Sequence, residues 1–182
     1  MQPMHHLMQS LTKLADTQHA IFAPSDLRAL VPDLSQAAFK TLLTRAVQAG
    51  HLQRLCRGLY MLEKAVPPSG RVLFHAAARL RANGFNYISL ETALSAAGVI
   101  SQVPMQWVSI MSSGRSNTIS CGRWGSIEFV HTSQSSADVA AQLHYDADCK
   151  LFRASVPRAL RDMRATHRSM DLIDWSAVHE PV

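Results

Sequence analysis

Apolar residues near the start of the chain recur at helical spacing. Leu7, Leu11, Leu14 and Ala15 predict an amphipathic helix over about 4–16. Ile21-Phe22 reads as a short strand. Ser25, preceded by Pro24, is placed to cap a second helix with Leu27, Leu30 and Val31 on its inner face, and Pro32 stops it. Ser35 is the expected cap of a third helix. Its stripe is Ala38, Phe39, Leu42, Leu43, Ala46 and Val47, with Gly50 just past its end. The outward positions are Gln36, Ala37, Lys40, Thr41, Thr44, Arg45 and Gln48, with no acidic residue among them. Leu52, Leu55 and Leu59 then flank a short basic turn, closed by Arg57-Gly58-Leu59-Tyr60, in which Gly58 permits a conformation that a side chain hinders. A short helix, a tight turn, a longer helix and a two-stranded basic ribbon, in that order, predict a winged helix-turn-helix.

Val66-Pro67-Pro68-Ser69-Gly70 breaks the pattern and reads as a linker. The expected organisation is a winged helix-turn-helix over 1–66 and a mixed α/β domain over 67–182, an α+β chain as a whole. Beyond the linker, residues 71–82 predict a helix stopped by Asn83-Gly84. Ser89 is the expected cap of the next helix, with Glu91 in its first turn and Gly98 at its end. Met105 to Ser112 alternates as a strand does. Asn117–Cys121 and Ser126–Thr132 predict a hairpin around Gly122-Arg123-Trp124-Gly125. Lys150 to Arg153 reads as a short strand, and Ser155–His167 as a final amphipathic helix.

Charge sharpens this picture. The 182 residues are 47% hydrophobic and 17% charged, with a net charge of +5. Residues 1–66 hold seven Lys/Arg against four Asp/Glu, residues 67–125 five against one, and residues 126–182 six against eight. The basic excess therefore sits in the first two thirds and favours an anionic partner. Three separated cysteines, Cys56, Cys121 and Cys149, form no C-x-x-C pair and fit a reducing cytoplasm. The first residues lack a signal-peptide pattern, and no apolar run reaches the length of a membrane span, so neither secretion nor a membrane partner is expected.

Catalytic chemistry finds little support. The nine histidines lack metal-ligand spacing, and the G-x-S-x-G elbow, the phosphate loop and the dinucleotide loop are absent. No cofactor or metal is expected. Cys56 lies between Arg54 and Arg57, which favour a thiolate, but a small buried residue inside the ribbon fits better. Asp146 and Asp148, with Glu128 and Lys150, offer the residue types of a metal-dependent nuclease, provided that they converge on one ion. The alternative is a polar turn leading into a strand.

DNA binding is the stronger expectation. The start of the second motif helix enters the major groove in helix-turn-helix proteins. Here that start carries Ser35, Gln36, Lys40 and Thr41, with Thr44 a further DNA-facing candidate along the same face. Gln36 suits a bidentate contact to adenine, and Ser35 and Thr41 suit several base edges. Lys40, Arg45, Arg54 and Arg57 suit phosphates, uninterrupted by any acid. The rival reading is a winged helix used only for protein contacts.

The ordered segments Ile88-Ser89-Leu90-Glu91-Thr92-Ala93-Leu94-Ser95, Val108-Ser109-Ile110 through Ser113-Gly114-Arg115-Ser116, Gly125 to His131, and Ala154-Ser155-Val156-Pro157-Arg158-Ala159-Leu160-Arg161-Asp162 follow the predicted winged helix. In this order the chain resembles the AbiEi-type antitoxins of type IV toxin–antitoxin (abortive infection) systems, from about Leu7 to the last helix. It departs from their pattern in lacking the glutamate of a Pro-Glu-Arg step at Val156-Pro157. It also departs in a strongly basic last helix, with Arg158, Arg161, Arg164 and Arg168. The resemblance implies a cytoplasmic, non-enzymatic autorepressor that binds promoter repeats in double-stranded DNA, with a second domain that counters a nucleotidyltransferase-like toxin. A helix-turn-helix reader of paired repeats is expected to act as a dimer on DNA. Two alternatives stay open: a stand-alone regulator whose second domain senses a ligand, and the nuclease.

Overall fold

A computed structural model describes residues 2–68, 70–101 and 106–179. The chain is a mixed α+β protein with seven α-helices and two sheets among those residues. It divides into two compact units, Met1–Val72 and Leu73–Val182.

The first unit comprises α1 (Pro3–Leu14), β1 (Ile21–Phe22), α2 (Pro24–Ala29), α3 (Gln36–Gln48), β2 (Leu52–Cys56) and β3 (Leu59–Leu62). Its three strands form an antiparallel sheet in the order β1-β3-β2. The core joins Leu7 and Leu11 of α1, Leu27 of α2, the stripe Phe39, Leu42, Leu43 and Ala46 of α3, and Leu52 and Leu62 of the sheet.

Local chemistry explains where these elements begin and end. α1 stops before the expected Asp16 because the Asp16 carboxylate accepts the N–H groups of Gln18 and His19 at 2.7 and 2.8 Å. That side-chain turn competes with continued helix. Leu14, expected on the inner face, is 59% exposed. Ser25 is not the cap of α2. Pro24 occupies the first turn, Ala23 is the cap residue, and the Asp26 carboxylate reaches back to the Ala23 N–H at 2.8 Å. Ser35 does cap α3, its Oγ accepting the Ala38 N–H at 3.2 Å. At the other end, Gly50 N–H meets the Val47 carbonyl and His51 N–H meets that of Ala46. The ribbon is irregular: Arg54 pairs with Tyr60 but Cys56 with Leu59. The extra residue is a β-bulge, which is why Leu55 and Cys56 are both buried although they are neighbours.

The second unit is built on a six-stranded sheet. Its elements are α4 (Val72–Leu80), β4 (Asn86–Ile88), α5 (Leu90–Ala96), β5 (Trp107–Ser112), β6 (Asn117–Ser120), β7 (Ser126–His131), α6 (Ser136–Val139), β8 (Leu143–Asp146), β9 (Leu151–Ala154) and α7 (Val156–Ala165). The order is β6-β7-β5-β4-β9-β8, parallel between β5 and β7 and between β4 and β9, antiparallel elsewhere. Residues in register share a face of the sheet. Tyr87, level with Met111 and Phe152, reaches Asp162 of α7. On the opposite face Arg153, level with Ile88, lies over Phe74 of α4. Helices thus cover both faces, α4 on one and α7 on the other, with α5 packed beside α7.

The short elements β4, α6 and β8 are additions to the expected set. Met105, the expected start of the β5 strand, lies outside the described residues, and the strand runs from Trp107. Ser89 stands at the cap position of α5 without capping it: its hydroxyl donates instead to Asp162 Oδ2 at 2.7 Å. The following residue, Leu90, is fully buried at φ 55°, a costly conformation for a side-chain-bearing residue. α7 ends at Ala165, two residues earlier than expected. His167 takes the left-handed position past its end and Arg168 N–H closes back on the Met163 carbonyl.

Candidate nucleic-acid interface

α3 carries five of the eight residues that the sequence singles out for DNA: Gln36, Lys40, Thr41, Thr44 and Arg45, all exposed. Burial of Phe39, Leu42, Leu43 and Ala46 fixes the helix's rotation and turns this polar face outward. Gln36, Lys40 and Thr44 fall at four-residue intervals, about 6 Å apart along the axis, with Thr41 and Arg45 beside them. The helix is about 20 Å long, and the B-DNA major groove, about 12 Å wide, admits such a helix.

Hydrogen bonds divide the roles of the hydroxyls. Thr41 Oγ1 donates to the Ala37 carbonyl at 3.1 Å and Thr44 Oγ1 to that of Lys40 at 3.0 Å. Their lone pairs stay outward and can accept a hydrogen bond. Ser35, exposed, uses its Oγ as the helix cap, so its first duty is to α3 itself. Thr41 and Arg45 also line an open groove of about 480 Å³ against Pro3 and Met4 of α1.

The other two site residues lie on the hairpin. Arg54 is the outward residue of β2 before the bulge, and Arg57 sits in the β2–β3 turn; both are exposed. None of Lys40, Arg45, Arg54 and Arg57 forms an ion pair with a described residue. No acid occurs between Asp33 and Glu63. The positive potential of this stretch therefore has no internal counter-charge. Cys56, between the two arginines, is buried in the ribbon, with Sγ 3.7 Å from the Arg57 carbonyl oxygen.

One residue that sequence reasoning passed over positions this face. Arg28 of α2 donates from Nη1 to the Val31 carbonyl at 2.8 Å and from Nη2 to the Leu34 carbonyl, and lies over the Phe39 ring at 5.5 Å. It closes the turn between α2 and α3. The signal was present only as a cation three and six residues before two turn carbonyls, which no local pattern marks.

Of the nuclease set, Glu128 stands apart from the other three. Glu128 and Asp146 lie on β7 and β8, four strand spacings apart, which is about 19 Å. Asp146 is held by Arg153 at 2.6 Å and by the Cys149 N–H at 2.9 Å. Burial alone raises the Asp146 carboxyl, but these partners more than offset it and hold it at about 2. Glu128 is bound by Arg168 at 2.5 Å and by Ser109 Oγ at 3.0 Å. Asp148 and Lys150 lie in the turn between β8 and β9, where the Asp148 carbonyl oxygen meets His75 Nε2 at 2.7 Å. No group of three or more His, Cys, Asp or Glu among the described residues is arranged to hold a metal ion.

The basic end of the chain is also largely matched internally. Arg158, 5% exposed, pairs with Asp162 at 2.5 Å, and Arg168 bridges Glu91 and Glu128. Arg161 donates to Gln142 at 3.0 Å. No helix among the described residues is long and apolar enough to cross a membrane. No protein-family model and no curated protein matches this chain.

Proposed function

We propose that the first unit is a winged helix-turn-helix that binds duplex DNA, and that the protein is an AbiEi-type antitoxin and autorepressor. The observation that carries the DNA reading is the face of α3 with its hairpin. It presents four exposed cations without internal counter-charge, beside Gln36, Thr41 and Thr44. Lys40, Arg45, Arg54 and Arg57 contact phosphates, and Gln36 reads a base edge. The antitoxin reading rests on the order of segments from Ile88 to Asp162. In it the second unit counters a nucleotidyltransferase-like toxin, and the protein acts as a dimer on paired promoter repeats without catalysis of its own. The engagement of Asp146 by Arg153 and the Cys149 N–H weighs against a nuclease carried by Asp146, Asp148 and Lys150.

The test is binding to the DNA upstream of the protein's own reading frame, followed by fluorescence anisotropy across a salt titration. If four phosphates are neutralised per protein chain, log K falls against log salt with a slope of about −3.6. The double variant Lys40→Ala/Arg45→Ala is expected to lower that slope by about 1.8 and to weaken binding to every sequence. Gln36→Ala is expected to relax preference at one base pair by about 1–3 kcal/mol. A salt-independent affinity, equal for wild type and double variant, refutes the DNA reading. Co-expression with an adjoining nucleotidyltransferase-like gene tests the antitoxin reading separately: growth must be restored by this protein.

A further inference from the structure

The second unit contains a cleft of about 480 Å³ formed by two facing turns, 81–84 after α4 and 112–115 after β5. Arg79, Arg81 and Arg115 line it together with Ser112, Ser113 and Gly114, and no acidic residue does. Glu91, the one acid between residues 67 and 125, is engaged elsewhere by Arg168.

Arg81 is the unusual member. Its half-buried guanidinium donates to Ser112 Oγ at 2.6 Å, the Arg115 carbonyl at 2.5 Å and Asn117 Oδ1 at 2.7 Å. It also lies over the Phe129 ring at 3.9 Å. All these partners are neutral, so the charge is oriented without being neutralised. Burial accordingly pushes the Arg81 pKa down from its ordinary value. An anion beside it relieves that cost. Those bonds use three of the five guanidinium N–H groups.

The surrounding loops are fitted to this arginine. A Cβ at Gly114 would stand 2.9 Å from Arg81 Nη1, so a side chain at this position would push the guanidinium aside. The Arg81 carbonyl at the end of α4, which could repel an anion, is occupied. Arg81 O accepts from Asn86 Nδ2 at 2.7 Å and from the Gly84 N–H at 3.0 Å. Ser112 is 1% exposed and bonded to Asn86, so the wall that orients Arg81 is rigid. Arg115, by contrast, is exposed and forms no ion pair with a described residue.

We propose that this cleft binds a small phosphorylated ligand, with Arg81 as the fixed donor and Arg115 as the arm that closes on the phosphate. Its volume suits a nucleotide-sized molecule, within the roughly 300–1,000 Å³ of small-ligand sites. A recess between two turns fits a compact phosphate group better than it fits an extended polymer. The site is independent of the DNA reading for the first unit.

Isothermal titration of the full chain at low ionic strength tests it, with inorganic phosphate, adenosine 5′-monophosphate and adenosine as probes. Saturable binding of the two phosphate-bearing probes, and not of adenosine, is expected. Arg115→Ala is expected to weaken it about tenfold or more, the loss of one charge-assisted contact. Arg164→Ala, an exposed cation on α7, is expected to change it by less than about twofold. Arg81→Lys, checked by circular dichroism for folding, is expected to lose most of the affinity because ammonium cannot replace the fork. No saturable binding by the wild type, equal binding of adenosine, or equal losses in Arg115→Ala and Arg164→Ala would overturn the proposal. So would a duplex whose binding depends on Arg115 while neither phosphate nor the nucleotide binds, which would assign these cations to a nucleic-acid backbone.

Discussion

Arg28 and Arg45 belong to the same unit and carry the same charge, but the fold uses them differently. Arg28 holds the carbonyls of Val31 and Leu34 and covers Phe39, so its charge serves the turn that sets α3. Arg45 extends from the exposed face of α3. Arg28→Ala is expected to cost about 1.5–3 kcal/mol in urea denaturation, the range for hydrogen bonds involving a charged group. On the proposed function it weakens DNA binding with little change of salt slope. Arg45→Ala is expected to do the reverse, leaving stability within about 0.5 kcal/mol and lowering the slope by about 0.9. Ser35→Ala removes the α3 cap and is expected to cost about 1 kcal/mol. Periodicity and capping made Ser35 and the α3 face legible in the sequence. Arg28 was not legible, because its partners are backbone carbonyls whose direction depends on the turn.

Among elements, the tie between β4 and α7 carries the largest expected effect. Asp162 is 2% exposed and accepts from Tyr87 Oη at 3.0 Å, Ser89 Oγ at 2.7 Å and Arg158 Nη2 at 2.5 Å. Burial, then the neighbouring carboxylate charge, pushes the Tyr87 hydroxyl above the usual tyrosine range. It therefore remains a donor throughout the working pH range. Asp162→Ala leaves Arg158 buried and unpaired, and is expected to destabilise the second unit by about 3–5 kcal/mol, read by chemical denaturation. In this tie the Ser89 hydroxyl is turned to the buried carboxylate, to which it donates, and it makes no cap bond to α5. The β8–β9 hairpin is held in a way that pH can test. The Asp146 pKa is depressed in the folded state, to about 2 from an ordinary 3.8. Its contribution is complete above the unfolded value and is lost as pH falls from about 4 toward 2. Asp146→Asn is expected to remove that part of the acid limb in pH-dependent melting curves, leaving the neutral-pH slope unchanged.

At the scale of the molecule, the first unit and the end of the second handle positive charge in opposite ways. From residue 34 to residue 62 the first unit exposes cations with no acid among them. The end of the second unit balances Arg153, Arg158 and Arg168 against Asp146, Asp162, Glu91 and Glu128. The charge totals along the chain anticipate basic first two thirds and a slightly acidic end, but not which cations are held. The amino-acid sequence by itself determined the longer helices, the Ser35 cap, the bulk of the first core and the uncompensated face of α3. These follow from spacing and neighbours within a few residues. Only the tertiary structure decided the short strands β4 and β8, which are held by pairing with distant partners. It also decided that Glu128 and Asp146 stand at separate places in one sheet, and that Arg81 is held by neutral groups beside an acid-free cleft. Hydrogen bonds between residues thirty to eighty positions apart, such as those of Arg81 with Ser112 and Tyr87 with Asp162, exist only once the sheet is assembled. No local pattern in the chain encodes them.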